Sequence, residues 1–428
     1  MAGGPHPSRA AINTSQLEQL RSLVAELFPG NVFYTQKLSA AGVTFDIASL
    51  EDFSRRFPFT TKSELVEDQR AHPPYGTGLT YPLDRYTRFH QTSGTMGAPL
   101  RWLDTPESWE WMLESWGEVY RAAAVDQHDR IYFAFTFGPF IGFWTAFEAA
   151  GRLGALCIPG GGMTSAARLR AMIDNRATAL CCTPTYALRL AEVATEEKID
   201  LTQAQVKTII VAGEPGGSVP AIRARLTELW HGARVFDHHG MTEVGPVTHE
   251  CPATRGVLHV IESAYFAELI DPATGKPVPP GQMGELVLTT LGRTGSPVLR
   301  YRTGDLARAD SHPCACGRND LALVGGILGR TDDMIVVRGV NVYPSAVEEI
   351  IRAAADVLEY QVRVSTENSL TELSLFIEPK ADCGDVTGLV SRLEKSFQTQ
   401  FALRVPVAAV PTGSLPRFEM KARRWVRS

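Results

Sequence analysis

Apolar residues recur at helical spacing through residues 15 to 70, most plainly in LEQLRSLVAELF (17–28) and LEDFSRRF (50–57). That spacing predicts a mostly helical opening segment. PFTTKSEL (58–65) reads as a helix entry, with Thr60 or Thr61 able to cap the next turn. RYTRFHQTSGTMGAPLRWLD (85–104) then sets two strand-like runs around a small, hydroxyl-rich loop. From about residue 109 the rhythm changes. Short apolar runs alternate with helical stretches: IYFAF (131–135), GALCIP (154–159), ALCCT (179–183), VKTIIVAG (206–213) and ARVFDH (233–238), with LRAMIDN and AIRARLTELW among the helices between them. Such alternation predicts a parallel sheet covered on both faces, with ligands at the C-terminal ends of its strands.

Residues 256–310 turn to strand-and-turn chemistry, as in AYFAELID, PVPPGQMGE and LVLTTL. After GRTDD (329–333) a smaller α+β unit is expected. It comprises strand MIVVRG, helix SAVEEIIRAAADV, strands YQVRVS and ELSLFIEP, helix VSRLEKSFQTQF and a basic tail. The predicted organisation is a large N-terminal α/β domain over 1–329 and a small α+β C-terminal domain over 330–428, with the boundary near Arg330.

Composition narrows the classes. The 428 residues are 44% hydrophobic and 21% charged, which suits a globular protein with a large core. The net charge of -5, from 42 basic and 47 acidic residues, argues against a nucleic-acid binder that relies on bulk positive charge. No apolar run reaches the ~18–20 residues of a membrane span. The N-terminus lacks the apolar core of a signal peptide, so a cytoplasmic location is expected. In that compartment the seven cysteines suggest thiols or a metal site.

Six segments carry candidate chemistry. In Thr92-Ser93-Gly94-Thr95-Met96-Gly97-Ala98-Pro99, small residues and hydroxyls let backbone N–H groups close around phosphate oxygens. The Gly-Lys-Ser/Thr ending of a Walker A loop is missing. Val211-Ala212-Gly213-Glu214-Pro215 and Asp237-His238-His239-Gly240-Met241-Thr242-Glu243 both follow apolar strands, where a doubly wound sheet holds ligands. Glu243 offers magnesium a carboxylate oxygen, and His238 or His239 offers a base a flat face. In Tyr301-Arg302-Thr303-Gly304-Asp305 the carboxylate suits a ribose diol. Gly329-Arg330-Thr331-Asp332-Asp333-Met334-Ile335 falls at the expected boundary, and Lys421 lies in the basic tail.

In order and spacing these segments resemble the adenylate-forming superfamily of acyl-CoA synthetases, luciferases and adenylation domains. The phenylacetate-CoA ligase group is most similar, over residues 15 to 424, with GRTDDMIVVRGVNVYPSAVEEI the most specific stretch. The resemblance implies that Ser93, Gly94, Thr95 and Gly97 wrap the ATP phosphates. It implies that Gly213, Glu214, Pro215, Asp237 and His238 line the adenine, with Thr242 in the same nucleotide set. Glu243 would bind Mg2+, Asp305 the ribose, and Arg330 the nucleotide. Asp332 would be the hinge, and Lys421 would reach the reacting carboxylate and α-phosphate. The implied reaction joins an acid to coenzyme A through an acyl-AMP, with release of AMP and pyrophosphate and rotation of the small domain between the two steps. A homodimer is also implied. One departure stands out: the family loop carries a Lys before its Pro, and this chain has Ala98.

Cys251, His259, Cys314 and Cys316 match a structural Zn2+ site in ligand type, with His249 a rival fourth ligand. Cys157, Cys181 and Cys182 lie in apolar strands and read as core. Phe135, Phe137, Phe140, Phe143 and Trp144, beside Gly160-Gly161-Gly162-Met163, suit a flat ring. Phe135, Phe140, Gly240 and Met241 are the expected pocket for an aryl acid of the benzoate, anthranilate or phenylacetate kind. The competing readings are an enzyme that loads the acyl group onto a carrier protein, a non-catalytic nucleotide binder, and an NTP hydrolase or kinase.

Overall fold

The structure, a computed structural model, describes residues 6–92, 99–338, 340–367, 370–418 and 422–427. The opening segment is helical as expected: α1 (Arg9–Leu27), α2 (Val32–Ala40), α3 (Leu50–Arg56) and α4 (Lys62–Ala71). Leu20, Leu23, Leu27, Phe53 and Phe57 bury their spaced side chains together, against Leu291 and Leu299. Thr61, not Thr60, caps α4. Its hydroxyl accepts from the Glu64 N–H, while the Glu64 carboxylate accepts from the Thr61 N–H at 2.7 Å. Thr60 is occupied otherwise. Its N–H donates to Arg300 O at 3.0 Å, and its carbonyl accepts from Arg302 N at 2.9 Å.

Strands β1 (Arg88–Gln91) and β2 (Arg101–Asp104) pair antiparallel around the hydroxyl-rich loop. Helix α5 (Pro106–Ala122) follows. The central sheet contains β3 (Arg130–Phe133), β4 (Leu156–Pro159), β5 (Ala179–Cys182), β6 (Thr208–Val211) and β7 (Arg234–Asp237), all parallel, in the order β4-β3-β5-β6-β7. The connecting helices are α6 (Ile141–Leu153), α7 (Ser165–Asp174), α8 (Pro184–Glu196) and α9 (Pro220–Leu229). Alternation along the strands divides the core. Ile131, Phe133, Cys181, Ile210 and Phe236 face α5 and α6 through Trp116, Val119, Tyr120 and Ala150. Tyr132, Leu180, Cys182, Ile209, Val211 and Val235 face the other way, onto Leu169, Leu190 and Leu226 of α7 to α9. Cys181 and Cys182 are thus core residues, one on each face. The strands are shorter than the apolar runs that predict them, because the chain must turn where the ligand loops begin. After β6, Gly213 takes φ +92°, a backbone angle that disfavours a side chain.

The next segment is antiparallel. A short hairpin of β8 (Gly240–Met241) and β9 (Gly245–Pro246) leads into β10 (Thr248–Glu250), β11 (Val257–Val260) and β12 (Tyr265–Ile270), followed by β13 (Met283–Thr290), β14 (Tyr301–Arg308), β15 (Ala322–Val324) and β16 (Gly329–Arg330). The sheet orders are β10-β11-β15 and β12-β13-β14-β16.

The small C-terminal unit contains β17 (Ile335–Val337), β18 (Val340–Val342), α10 (Pro344–Ala353), β19 (Val357–Glu367), β20 (Leu370–Pro379), α11 (Val386–Phe401), β21 (Val407–Ala409) and β22 (Trp425–Arg427). Its main sheet runs β21-β20-β19-β22, over its own core of Val347, Ile351, Val362, Leu375, Leu389 and Phe397. MIVVRG supplies the expected strand, β17, which pairs with β18 in a hairpin that turns through Arg338 at φ +48°. One element differs from expectation. Helix α10 ends at Ala353 although alanines follow, because Val357 is drawn into the sheet opposite Pro379 and buried there.

Candidate active site

The loops after β6 and β7 lie side by side at the C-terminal edge of the parallel sheet, where such sheets hold ligands. In the first, Gly213 and Pro215 are exposed and Glu214 is half-buried. Glu214 Oε1 accepts the Thr185 N–H at 2.9 Å, which satisfies an open donor at the start of α8. In the second, Asp237 accepts from the Ser218 hydroxyl and from His238 N, at 3.0 Å for the latter. Burial, with Glu250 nearby, lifts its pKa to about 6 although the Ser218 hydroxyl opposes the shift. His238 Nδ1–H donates to Thr248 O (2.6 Å), and its ring lies 4.5 Å from that of Trp116. Burial lowers the His238 pKa to about 4, so the ring is neutral at pH 7.

Glu243, only 4% exposed, meets Lys62 Nζ at 3.1 Å from Oε1 and takes a long hydrogen bond from Tyr301 OH at 3.5 Å. Its backbone is held from behind by Arg293, which is fully buried. Arg293 Nη1 donates to the carbonyls of Thr242 (3.0 Å) and Glu243 (2.9 Å). Its Nε and Nη2 grip the two oxygens of Asp104 at 2.7 and 2.8 Å. Asp104 ends β2, one flank of the 93–98 loop. Burial would raise the Asp104 pKa, but the charge and hydrogen bonds of Arg293 together with neighbouring His90 hold the carboxyl low.

Asp305 lies on β14 opposite Arg330 of β16. Arg330 Nη1 donates to Asp305 Oδ1 at 2.8 Å, and its Nε and Nη2 reach Asp332 at 2.8 and 3.1 Å. His239 Nε2 stands 3.2 Å from the other Asp305 oxygen, although the angle is not that of a hydrogen bond. Burial would raise the Asp305 pKa; His239 and Arg330 together keep it below the usual carboxylate range. A side chain at Gly304 (φ +77°) would place Cβ 2.9 Å from Arg330 Nη2.

The tail reaches this region. Ala422 N donates to Glu214 Oε2 at 2.9 Å, and Arg424 Nη1 donates to Thr185 Oγ1 at 3.3 Å. Arg424 is simultaneously clamped by Glu359 of β19 at 2.6 and 3.1 Å. Lys421, like Ser93, Gly94, Thr95 and Gly97, lies outside the described residues. The base of the loop is closed, since Thr92 N donates to Leu100 O and Leu100 N to Thr92 Oγ1, each at 3.0 Å.

Beside β3, Phe135 and Phe143 stack at 4.3 Å, with Phe137 5.5 Å from Phe135 and Phe140 5.9 Å from Phe143. Gly160 packs so close that an added Cβ would meet Tyr132 at 2.7 Å. Gly240 and Met241 form β8, in contact with α6. A cavity of about 510 Å³ lies elsewhere, between α5 and α6, and none of the motif residues lines it.

Cys251, His259, Cys314 and Cys316 converge, with all ligand atoms within 4.8 Å of one another. Cys251 and Cys314 sulfurs are 3.5 Å apart, Cys314 and Cys316 sulfurs 3.4 Å, and Cys316 Sγ lies 3.3 Å from His259 Nε2. Zn–S bonds of about 2.3 Å in a tetrahedron put sulfurs about 3.8 Å apart, so the set fits a closed site after a small expansion. His249 faces His259 across β10 and β11 but engages Glu250 O at 3.1 Å, so His259 is the fourth member.

Sequence reasoning missed Lys62, Asp104, Arg293, His239 as a neighbour of Asp305, and Arg424. Only Lys62 had a local signal, its position at the helix entry; the others declare themselves through pairings between segments far apart in the chain.

A glycine-bearing loop at the C-terminal edge of a parallel sheet, a buried acid after the adjacent strand and a tail from a small second unit are the features of an adenylate-forming enzyme. Comparison with known proteins places the chain further. The family described as "AMP-binding enzyme" matches residues 89–292, and "AMP-binding enzyme C-terminal domain" matches 339–427. The phenylacetate-coenzyme A ligase of Thermus thermophilus is 32% identical over 96% of this chain and 95% of its own length. A solved 2-hydroxyisobutyryl-CoA ligase in its postadenylation state is 29% identical over 99% of this chain and 91% of its own, with TM-score 0.93; in the thioesterification state the same enzyme gives 0.75 at 30% identity, with the same coverage. The chain belongs to the AMP-binding enzyme family, alongside the phenylacetate-coenzyme A ligases, as an ATP-dependent, AMP-forming acyl-CoA ligase.

Two expectations follow. Asp104→Asn leaves the buried Arg293 charge uncompensated and should cost about 3–5 kcal/mol in urea-unfolding free energy; a loss under 1 kcal/mol would contradict the role given to this pair. His238 has a folded pKa below the ordinary value, so its contribution is complete above about pH 6.5 and fades as pH falls toward about 4. Up to roughly 3 kcal/mol is at stake. The unfolding free energies of wild type and His238→Gln should therefore converge between pH 7 and pH 4.5, and parallel curves would exclude a neutral, desolvated ring.

Proposed function

We propose that the acid activated by this ligase is an aromatic carboxylate of the phenylacetate, benzoate or anthranilate kind. The stacked Phe135 and Phe143, flanked by Phe137, Phe140 and glycines, support a flat ring beside Gly240 and Met241. Relatives named phenylacetate-coenzyme A ligase over nearly full length support the same class. The 2-hydroxyisobutyryl-CoA ligase keeps a small branched acid as the second reading. Nothing among the relatives favours a carrier protein as acceptor.

In this reading the carboxylate attacks the α-phosphate of ATP and expels pyrophosphate, and the thiol of coenzyme A then attacks the acyl-AMP. Gly213, Glu214, Pro215, Asp237 and neutral His238 border the adenine, with Thr242 alongside. Ser93, Gly94, Thr95 and Gly97 enclose the phosphates. Asp305 takes the ribose hydroxyls, for which its contacts with Arg330 and His239 must open. Glu243, a buried hard oxygen ligand, is the group suited to Mg2+, which would supply charge neutralisation. Lys421 adds an ammonium at the reacting carboxylate. The observation that supports this is the bond from Ala422 N to Glu214, since it holds the main chain directly after Lys421 against the 213–215 loop. The small domain begins just beyond Arg330, whose strand pairs with the large unit, and Asp332 is its hinge. A change between two domain arrangements accords with the difference in likeness to the two states of the hydroxyisobutyryl enzyme. The four-residue Cys/His set would hold Zn2+ in a structural role.

A panel of phenylacetate, benzoate, anthranilate and 2-hydroxyisobutyrate, assayed for AMP formation with coenzyme A, tests the substrate class; the aliphatic acid alone being turned over would reject the aromatic reading. Lys421→Ala should lower adenylation on the order of 100-fold or more while retaining thioester formation from supplied acyl-AMP. Equal loss of both half-reactions contradicts the assignment. Elemental analysis should find close to one zinc per chain, absent from Cys251→Ser; zinc-free wild type that is equally stable would dismiss the metal.

A further inference from the structure

The loop at 93–98 reads Ser-Gly-Thr-Met-Gly-Ala and contains no cationic side chain. ATP nevertheless brings its terminal phosphates to that region in the reading given above, on which this inference rests. We propose that Lys62 is the cation that meets the β- and γ-phosphates of ATP in this protein, from the helical N-terminal segment and not from the loop.

Three observations carry it. First, Lys62 Nζ already stands at the reaction centre, 3.1 Å from Glu243 Oε1. Second, its backbone is fixed while its side chain is only half covered. Thr60 is bonded on both sides to the segment leading into β14, at 3.0 and 2.9 Å, and Thr61 closes a capping box. Yet 52% of the Lys62 side chain is accessible to solvent. Third, among the described residues the neighbouring cations are committed. Arg293 is fully buried on Asp104, Arg302 is paired with Glu285, and Arg330 is shared between Asp305 and Asp332. The Lys62 ammonium has one acid partner, and that partner is the carboxylate suited to a divalent cation. Glu243 would hold such a cation and supply the charge neutralisation, while the long, half-exposed Lys62 side chain can turn from Glu243 toward the phosphates.

The chemical service follows. When the acyl carboxylate oxygen bonds to the α-phosphorus, the bond from that phosphorus to the bridging oxygen breaks and its electron pair leaves on pyrophosphate. A flexible ammonium is a suitable partner for that dispersed charge. Charge-assisted contacts of this kind are worth roughly a 10- to 100-fold change in binding.

Calorimetric binding of ATP and of AMP, each with EDTA and with Mg2+, should be measured for wild type, Lys62→Ala, Lys62→Arg, Ala98→Lys and the Lys62→Ala/Ala98→Lys double variant. Lys62→Ala should weaken ATP roughly 10-fold or more, with AMP within about twofold of wild type, because AMP lacks the phosphates in question. Lys62→Arg should retain most of the affinity, and Ala98→Lys should restore it in the double variant. ATP binding unchanged in Lys62→Ala, or ATP and AMP weakened alike, would overturn the proposal; the second result would mean that Lys62 only balances Glu243. Wild type that binds ATP through Lys62 but never forms AMP would instead sink the ligase reading and leave this assignment standing.

Discussion

The site depends on one enclosed ion pair. Arg293 has no contact with solvent, so its charge is tolerable only if every face of the guanidinium has a partner. Asp104 takes one edge of the fork, and the carbonyls of Thr242 and Glu243 take another. The Trp102 ring covers it at 5.0 Å. Three segments remote in sequence are thereby given one common reference point: the strand that ends at Asp104, the turn that carries Glu243, and the connection after β13. His90 reinforces the arrangement, 3.9 Å from Asp104 and stacked 5.2 Å from Trp109. The flank of the 93–98 segment and the buried acid are therefore positioned by a single group, which contacts no ligand in the proposed mechanism.

The parts of this architecture visible in the sequence are those with local causes. The parallel sheet declares itself because each strand must be apolar on both faces. The ligand loops declare themselves because glycine, proline and hydroxyl residues crowd the strand ends. Helix α4 was visible from its threonines, but which one caps was settled by β14, which claims the Thr60 backbone. The metal-type cluster was visible as residue types, while the choice between His249 and His259 waited on the pairing of β10 with β11. The Arg293–Asp104 pair and the Lys62–Glu243 contact left no periodic trace, since nothing in either segment alone requires the other. Helix α10 was overextended because alanine propensity gives no warning that Val357 has a better partner across the sheet.

The pKa pattern is coherent with a nucleotide pocket. His238 is stripped of charge by burial, while Asp305 keeps its charge against burial because two cations face it. A neutral ring beside an aromatic neighbour suits a base, and an ionised acid suits hydroxyl groups. Burial wins at one of these side chains and the facing charges win at the other.

Glu214 has a divided allegiance. One oxygen serves the first turn of α8 and the other receives the main chain of the tail at Ala422. Detaching the tail leaves the helix end satisfied and hands the second oxygen to water, an exchange worth only about 1 kcal/mol. Because the donor at 422 is a peptide N–H, its grip is indifferent to the side chain there, and proline is the replacement that abolishes it. This one contact between the tail and the α8 end is therefore made and broken at little cost to either partner.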